Sequence, residues 1–198
     1  MDTVNCVAAG HSSRMGAFKP LLPLGDATII RTLIARYRAC GIEQIILVTG
    51  HNADLLEEHV SDLGVHCFRN GNYAESDMLE SVKIGIRAYL ESDGVAQDED
   101  RIFLTPGDIP LVDASTIRAL IEPAGDVCIP TMNGETGHPL RLSRRILEQI
   151  LSYGGPDGLQ GALRSIGAQI VTVPVDDPSI LVDADTPEDY EKLKQLLE

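Results

Sequence analysis

The sequence has no apolar run long enough to cross a lipid bilayer, because a membrane-spanning helix needs about 18–20 consecutive apolar residues. It also has no Cys-x-x-Cys pair, so neither a zinc knuckle nor a disulfide framework is indicated. We expect its cysteines to be buried small side chains in a reducing compartment: Cys6, Cys40, Cys67 and Cys128. The first residues lack the basic segment and cleavage site of a secretion signal. These absences predict a cytoplasmic protein with no membrane partner.

Positive charge is also scarce. Lysine and arginine total 16 against 30 aspartates and glutamates, which gives a net charge of −14. A polyanion would repel such a chain, so we exclude nucleic acid as a partner. A nucleotide is still compatible with this charge if local cations and a divalent metal neutralise its phosphates.

Strand-like and helix-like patterns alternate along the 198 residues, which is typical of βαβ units and a largely parallel sheet. Strands are predicted at residues 3–9, 44–49, 65–68, 101–105, 127–130, 139–142 and 169–173. Helices are predicted at residues 28–40, 52–61, 78–90, 113–121, 143–151 and 158–166 and from residue 187 onwards, with Thr28 as a candidate cap. We expect one domain, residues 1–198, with three α/β layers and a small antiparallel excursion between residues 127 and 142.

Three glycine-containing motifs fall at the carboxyl ends of predicted strands. Gly10 follows the first strand, residues 50–51 follow the second, and residues 107–108 follow the fourth. Open α/β sheets bind ligands in the crevice at that edge. The three motifs therefore predict a single site.

The loop after the first strand has the composition of a phosphate cradle. Gly10 and Gly16 permit backbone angles and close approaches that a Cβ would block, and Arg14 and Lys19 add positive charge. The loop is not a P-loop, because no Gly-Lys-Ser/Thr follows, and it lacks Gly-x-Gly-x-x-Gly. A glycine-rich segment after a strand is often only a turn, but the two cations favour phosphate binding.

Residues 8–19 read Ala-Ala-Gly-x-Ser-x-Arg-Met-Gly-x-x-Lys, and this block resembles the signature of the molybdopterin nucleotidyltransferases. The resemblance continues, in the family order, through residues 19–24, 106–110, 137–139 and 183–189. It implies the MobA-like NTP transferase domain, with a Rossmann-like fold similar to the nucleotide-diphospho-sugar transferases. It also implies an enzyme that depends on Mg²⁺, transfers a nucleoside monophosphate from a nucleoside triphosphate and releases pyrophosphate.

The resemblance assigns site residues by position in these blocks. It implies catalytic roles for Arg14, Lys19 and Asp108. It implies nucleotide contacts from Ala8, Ala9, Gly10, His11, Ser12, Ser13, Arg14, Lys19, Asn70, Ser81 and Gly107. It also implies that Asp108, Asp183 and Asp185 hold the metal and that His138 lies near the acceptor.

Each acidic candidate has a structural alternative. Asp108 stands in a Pro-Gly-Asp-x-Pro turn, where aspartate is common without any metal. Asp183 and Asp185 are two apart, so in an extended segment both face the same side. Asp185, with Thr186, is equally placed to cap a helix that starts at Pro187. We favour Asp183 as the second metal ligand.

The choice of nucleotide and acceptor depends on finer features. Ala9 resembles cytidylyltransferases, whereas the guanylyltransferases have glycine there, so we expect CTP to be preferred over GTP. The expected acceptor is molybdopterin or its molybdenum form, and an apo-molybdoenzyme is a possible partner. Alternatives are a sugar- or polyol-phosphate nucleotidyltransferase and a non-catalytic pterin chaperone. Residues 73–78 depart from the family pattern, since a glycine is missing and one residue is inserted. We expect this loop to lie where the base or the acceptor enters the site.

Overall fold

The computed structural model describes residues 2–10, 15–92 and 100–197. The strands in these ranges are β1 (Asp2–Ala8), β2 (Pro23–Leu24), β3 (Ala27–Thr28), β4 (Gln44–Thr49), β5 (His66–Arg69), β6 (Arg101–Pro106), β7 (Val127–Met132), β8 (Glu135–Thr136), β9 (Leu140–Ser143) and β10 (Ile170–Pro174). The helices are α1 (Ile29–Ala39), α2 (Ala53–His59), α3 (Met78–Glu91), α4 (Ala114–Ala119), α5 (Leu147–Ser152), α6 (Gly158–Ser165) and α7 (Pro187–Leu197).

The main sheet has the strand order β10-β7-β9-β6-β1-β4-β5, and β8 pairs with β7. The central strand β1 is parallel to both β4 and β6, and β4 is parallel to β5. Strand β9 is antiparallel to β6 and to β7, which produces the antiparallel excursion expected between residues 127 and 142. The turn between β7 and β8 uses Asn133 and Gly134 at φ 54° and 87°, as a tight hairpin requires.

Helices cover both faces of this sheet because the central strands are apolar on both sides. In β4, Ile45 and Leu47 pack in a cluster with α1, whereas Ile46 and Val48 pack in a second cluster with α3. Each fully buried aliphatic side chain of this kind contributes about 1.5–3 kcal/mol to folding. The predicted three-layer α/β fold is therefore confirmed.

Some local predictions are corrected by long-range contacts. Thr28 precedes α1 but makes no side-chain cap, because its hydroxyl pairs with Nε2 of His59 at 2.9 Å. The helix predicted at residues 113–121 is shorter, and the one at residues 143–151 begins as a 3-10 turn over Arg144–Ile146. Cys6 and Cys128 are buried as expected, but Cys40 and Cys67 are only partly buried; the structure records all four as free thiols. No helix in the described ranges is long and apolar enough to cross a membrane.

Candidate active site

A cavity of about 220 Å³ opens at the carboxyl ends of β1 and β6. Its lining comes from the β1 and β6 exits, the segment around Lys19, the turn before α3 and the first turn of α3. These residues are Val7, Ala8, Ala9, Gly10, Lys19, Pro20, Tyr73, Ser76, Asp77, Met78, Ser81, Pro106, Gly107 and Asp108. The first and third of the three predicted motifs thus line one cavity at the edge where α/β sheets bind ligands.

Close backbone packing joins the two strand exits. The amide of Gly107 donates to the Val7 carbonyl at 2.8 Å, and a Cβ at Gly107 would lie 2.8 Å from the Ala8 Cβ. Glycine at 107 is therefore required for the two loops to meet. A Cβ at Gly10 would meet no protein atom within 4 Å, so this glycine leaves space at the cavity and relieves no clash within the described protein.

The motif at residues 50–51 packs against residues that line the cavity. A Cβ at Gly50 would lie 2.6 Å from the Ala9 carbonyl oxygen and 2.8 Å from the Tyr73 Cβ. The His51 amide donates to that same Ala9 carbonyl at 3.1 Å. The β4 exit is thus packed directly against the β1 exit, although neither Gly50 nor His51 lines the cavity.

Lys19 forms ion pairs with Asp108 and Asp185 at this site. Its ammonium donates to Asp108 Oδ2 at 3.0 Å and to Asp185 Oδ1, and the Lys19 side chain is 11% exposed. Burial lowers the pKa of Lys19, but the hydrogen bonds and charges of Asp185 and Asp108 outweigh it, so its pKa lies above the usual value. Lys19 is therefore a fixed cation at the cavity wall.

Asp183 and Asp185 make different contacts at this site. Asp183 Oδ1 accepts the backbone amide of Asp185 at 3.1 Å, and the Ala184 amide donates to the Asp108 carbonyl at 3.1 Å. Burial, followed by the charges of Asp185 and Asp108, raises the pKa of Asp183. The structure thus joins Asp185 to Asp108 through Lys19, whereas Asp183 holds the turn that delivers Asp185.

Of the two candidate caps before Pro187, Asp185 and Thr186, the structure shows Thr186 in that role. Thr186 Oγ1 accepts the Asp189 amide at 3.2 Å and donates to the Asp189 carboxylate at 2.7 Å. This is a capping-box arrangement between Thr186 and Asp189. The structural alternative considered for Asp185 is therefore filled by Thr186.

The carboxylates fit a divalent cation in their chemistry. Asp108 and Asp185 offer oxygen donors, which Mg²⁺ prefers, and one ammonium already holds an oxygen of each. Within residues 2–10, 15–92 and 100–197, no group of three or more His, Cys, Asp or Glu side chains is arranged to hold a metal ion by itself. A cation at this place would complete its shell with ligand phosphate oxygens and water, which is usual for Mg²⁺.

Two of the predicted nucleotide-binding residues are linked to each other. Asn70 Nδ2 donates to Ser81 Oγ at 2.9 Å and to Ser76 Oγ at 2.9 Å. Ser81 and Ser76 line the cavity, whereas Asn70 does not and is only 3% exposed. Asn70 therefore lies behind the cavity wall.

A second cavity of about 250 Å³ adjoins the first. It lies between α3, the end of β6 and the start of α6, and most of its lining is apolar: Val7, Asp77, Met78, Leu79, Val82, Leu104, Thr105, Pro106, His138, Gly158 and Leu159. Among the described residues, the Nδ1 atom of His138 is buried and has no hydrogen-bond partner. Burial, opposed by the Asp108 charge, lowers the pKa of His138, so its imidazole is neutral at pH 7.

Four predicted nucleotide contacts, namely His11, Ser12, Ser13 and Arg14, lie outside the described residues. Where the chain is described again, Gly16 has φ 66°, as predicted for a glycine-dependent loop. The loop at residues 73–78, which departs from the family pattern and was expected where the base or the acceptor enters, lines the cavity through Tyr73, Ser76, Asp77 and Met78. Sequence reasoning did not single out these four side chains.

Comparisons with known proteins identify the family and agree with the fold. Residues 6–186 match the family described as the MobA-like NTP transferase domain. The molybdenum cofactor cytidylyltransferase of Escherichia coli (strain K12) is 31% identical, over 98% of this chain and 97% of that protein. The fold and site define an α/β nucleotidyltransferase. The chain belongs to the MobA-like NTP transferase family.

Solved structures show the same fold. A nucleotidyl transferase from Methanothermobacter thermautotroptrophicus superposes with a TM-score of 0.83 at 27% identity, covering 100% of this chain and 97% of that chain. A Mycobacterium tuberculosis H37Rv protein, Rv0371C, solved as a complex with manganese, has a TM-score of 0.77 at 24% identity, covering 98% and 97%. The second likeness concerns the fold alone.

Proposed function

We propose that this protein transfers CMP from CTP to the phosphate of molybdopterin or its molybdenum form, with Mg²⁺, and releases pyrophosphate. The observation that carries the proposal is the Lys19 ammonium held between Asp108 and Asp185 beside the Ala8–Ala9–Gly10 loop. A cation and two carboxylates at the carboxyl edge of a parallel sheet suit a triphosphate and its metal. The name of the E. coli relative supports both CTP and the molybdenum cofactor.

The proposed metal ligands are Asp108 and Asp185, with Asp183 supporting the turn. Bound there, Mg²⁺ would neutralise phosphate charge. The manganese complex of the M. tuberculosis relative is consistent with a divalent cation in this fold.

In the proposed reaction, an oxygen of the acceptor phosphate attacks the α-phosphorus of CTP. The bond from the α-phosphorus to the bridging oxygen breaks, and that oxygen leaves with its electron pair on pyrophosphate. An ionised phosphate needs no general base, so the protein contributes mainly position and charge. Lys19 supplies positive charge at the cavity wall, and the backbone at residues 8–10 faces the phosphates. Arg14 is proposed to hold the leaving pyrophosphate.

The acceptor is proposed to occupy the second cavity. That cavity shares Val7, Asp77, Met78 and Pro106 with the first, so an occupant can reach the nucleotide across a common wall. Its apolar lining suits a planar ring system better than a polyhydroxylated sugar. Neutral His138 is the imidazole in this otherwise mainly apolar lining.

A pyrophosphate-release assay tests the proposal. The protein is incubated with Mg²⁺, each of CTP, GTP, UTP and ATP, and molybdopterin or a set of sugar and polyol phosphates. We expect release with CTP and molybdopterin. If pyrophosphate is released only with a sugar or polyol phosphate, that compound and not molybdopterin is the acceptor. Tight pterin binding without any release would indicate a chaperone and overturn the transferase proposal for this chain.

A further inference from the structure

The orientation of the Asn70 side chain is fixed by the backbone. Its Oδ1 accepts the Asn72 amide at 3.0 Å, and an amide nitrogen can only donate. The oxygen end of Asn70 therefore faces Asn72, and the nitrogen end faces the two serines. Both hydrogens on Nδ2 are then used, one on Ser76 Oγ and one on Ser81 Oγ.

This orientation decides what the serines offer to the cavity. A hydroxyl that accepts a hydrogen bond from Asn70 keeps its own hydrogen available as a donor. Within the described parts of the chain, no hydrogen bond donated by the Ser76 or Ser81 hydroxyl is found. Both serines line the first cavity. The cavity wall therefore presents two neighbouring O–H donors.

Backbone structure fixes the positions of these donors. Ser81 lies on the buried face of α3, whose first turn is capped by the Asp77 side chain. Ser76 ends a turn in which the Asn72 carbonyl accepts the amides of Glu75 and Ser76, both at 2.9 Å. The turn and the helix are tied together by the single Asn70 side chain. The inserted turn, which departs from the family pattern, thus adds a second hydroxyl beside the first.

We propose that Asn70 is a positioning residue that turns Ser76 and Ser81 into a paired donor for the cytosine of CTP. Cytosine carries two adjacent acceptors, N3 and O2, on its hydrogen-bonding edge. On the corresponding Watson–Crick edge, uracil has an N–H donor at N3 and guanine has donors at N1 and N2, so neither base offers two adjacent acceptors there. This inference rests on the proposed nucleotidyl transfer and adds the means by which the base is chosen.

Equilibrium binding without acceptor tests the inference. Isothermal titration calorimetry with Mg²⁺ measures the affinities of CTP and UTP for the wild type. We expect CTP to bind at least about tenfold more tightly, because one hydrogen bond is gained and one donor–donor clash is avoided. Equal affinities would overturn the inference while leaving nucleotidyl transfer intact. Failure to bind any of CTP, UTP, GTP and ATP would overturn the proposed function itself.

Asn70→Asp tests the positioning role. Aspartate has the same shape and still accepts the Asn72 amide, but it accepts from the serines and so reverses both hydroxyls. We expect the CTP-over-UTP ratio to fall towards one. A purely structural role for Asn70 would weaken both nucleotides equally and leave the ratio unchanged, which would refute the assignment.

Ser76→Ala supplies a milder test that does not depend on burying a carboxylate. We expect it to lower CTP affinity roughly tenfold and to reduce the CTP-over-UTP ratio. Ser61→Ala is the matched control, since its hydroxyl donates to the Glu58 carbonyl and does not line the cavity. An unchanged ratio in Ser76→Ala, with the control behaving as the wild type, would remove Ser76 from base recognition.

Discussion

The two cavities share a wall but differ in the chemistry of the rest of their lining. The first contains the Lys19 ammonium and the Asp108 carboxylate and lies at the ends of parallel strands. The second lies between helices and is lined chiefly by aliphatic side chains of α3, β6 and α6. Strand ends expose loops and backbone amides, whereas helix faces that pack on a sheet are apolar. The fold thus places charged side chains in the first cavity and mainly apolar ones in the second.

We expect the largest effect from a substitution in the first cavity, which contains the charged side chains. Asp108→Asn removes a carboxylate charge but keeps the side-chain shape, so we expect turnover to fall by ~10²–10⁴ while the fold persists. Steady-state pyrophosphate release at saturating Mg²⁺ measures the loss, and circular dichroism checks the fold. Turnover like that of the wild type would exclude Asp108 as a metal ligand.

Lys19→Ala should have the next largest effect. A charged hydrogen-bond donor contributes about 1.5–3 kcal/mol, so we expect kcat to fall by roughly 10–100-fold, with a smaller rise in KM for CTP. Lys19→Arg is the control that keeps the charge but changes its shape. If kcat and KM change little in Lys19→Ala, Lys19 serves only to neutralise Asp108 and Asp185.

Leu159→Glu should affect only the second cavity, where the acceptor is proposed to bind. A carboxylate in this lining would be poorly solvated, so we expect the KM for the acceptor to rise about tenfold or more. The calorimetric affinity for CTP should stay unchanged. Leu196→Glu on the exposed face of α7, where Leu196 is 41% exposed, is the matched control. A loss of CTP affinity in Leu159→Glu would show that the two cavities do not act separately.

The smallest expected effect concerns pH and His138. Its folded pKa lies below its unfolded value of 6.5 because burial disfavours the charged imidazole. The stability that neutral His138 contributes is therefore fully present above pH 6.5 and is lost as the pH falls through the folded pKa. Urea unfolding at pH 7 and pH 5 should show a smaller loss of stability for His138→Gln than for the wild type. Equal losses would mean that His138 titrates normally.

The sequence predicted most of the fold because its central strands are continuous apolar runs. β4 was placed at Gln44–Thr49, as observed, and Asp108 was placed at the end of a buried strand. Caps were harder to predict. Thr28 has the right type and position for a cap, but its hydroxyl bonds His59, which is 31 positions away in sequence. Local spacing carries no information about such a partner.

In the candidate site, too, the sequence predicted the features that depend on local pattern but not those that depend on long-range contacts. Motifs predicted a phosphate loop and acidic metal ligands, because these predictions depend on residue type and on position after a strand. They favoured Asp183 over Asp185 as the second metal ligand, although alternation places both on one face. Only the packed structure shows that Lys19 bonds Asp185 while Asp183 bonds the backbone of Asp185.

The sequence alone determined the fold class, the family resemblance and the edge of the sheet at which the site lies, because apolar periodicity and glycine-bearing strand ends are local features. The tertiary structure alone decided that Asn70 lies behind the cavity wall, that Ser76 joins Ser81, and that an apolar cavity adjoins the polar one. These facts arise where a turn, a helix and two strand ends pack together. A hydrogen bond formed there depends on distance in space, which separation along the chain does not give.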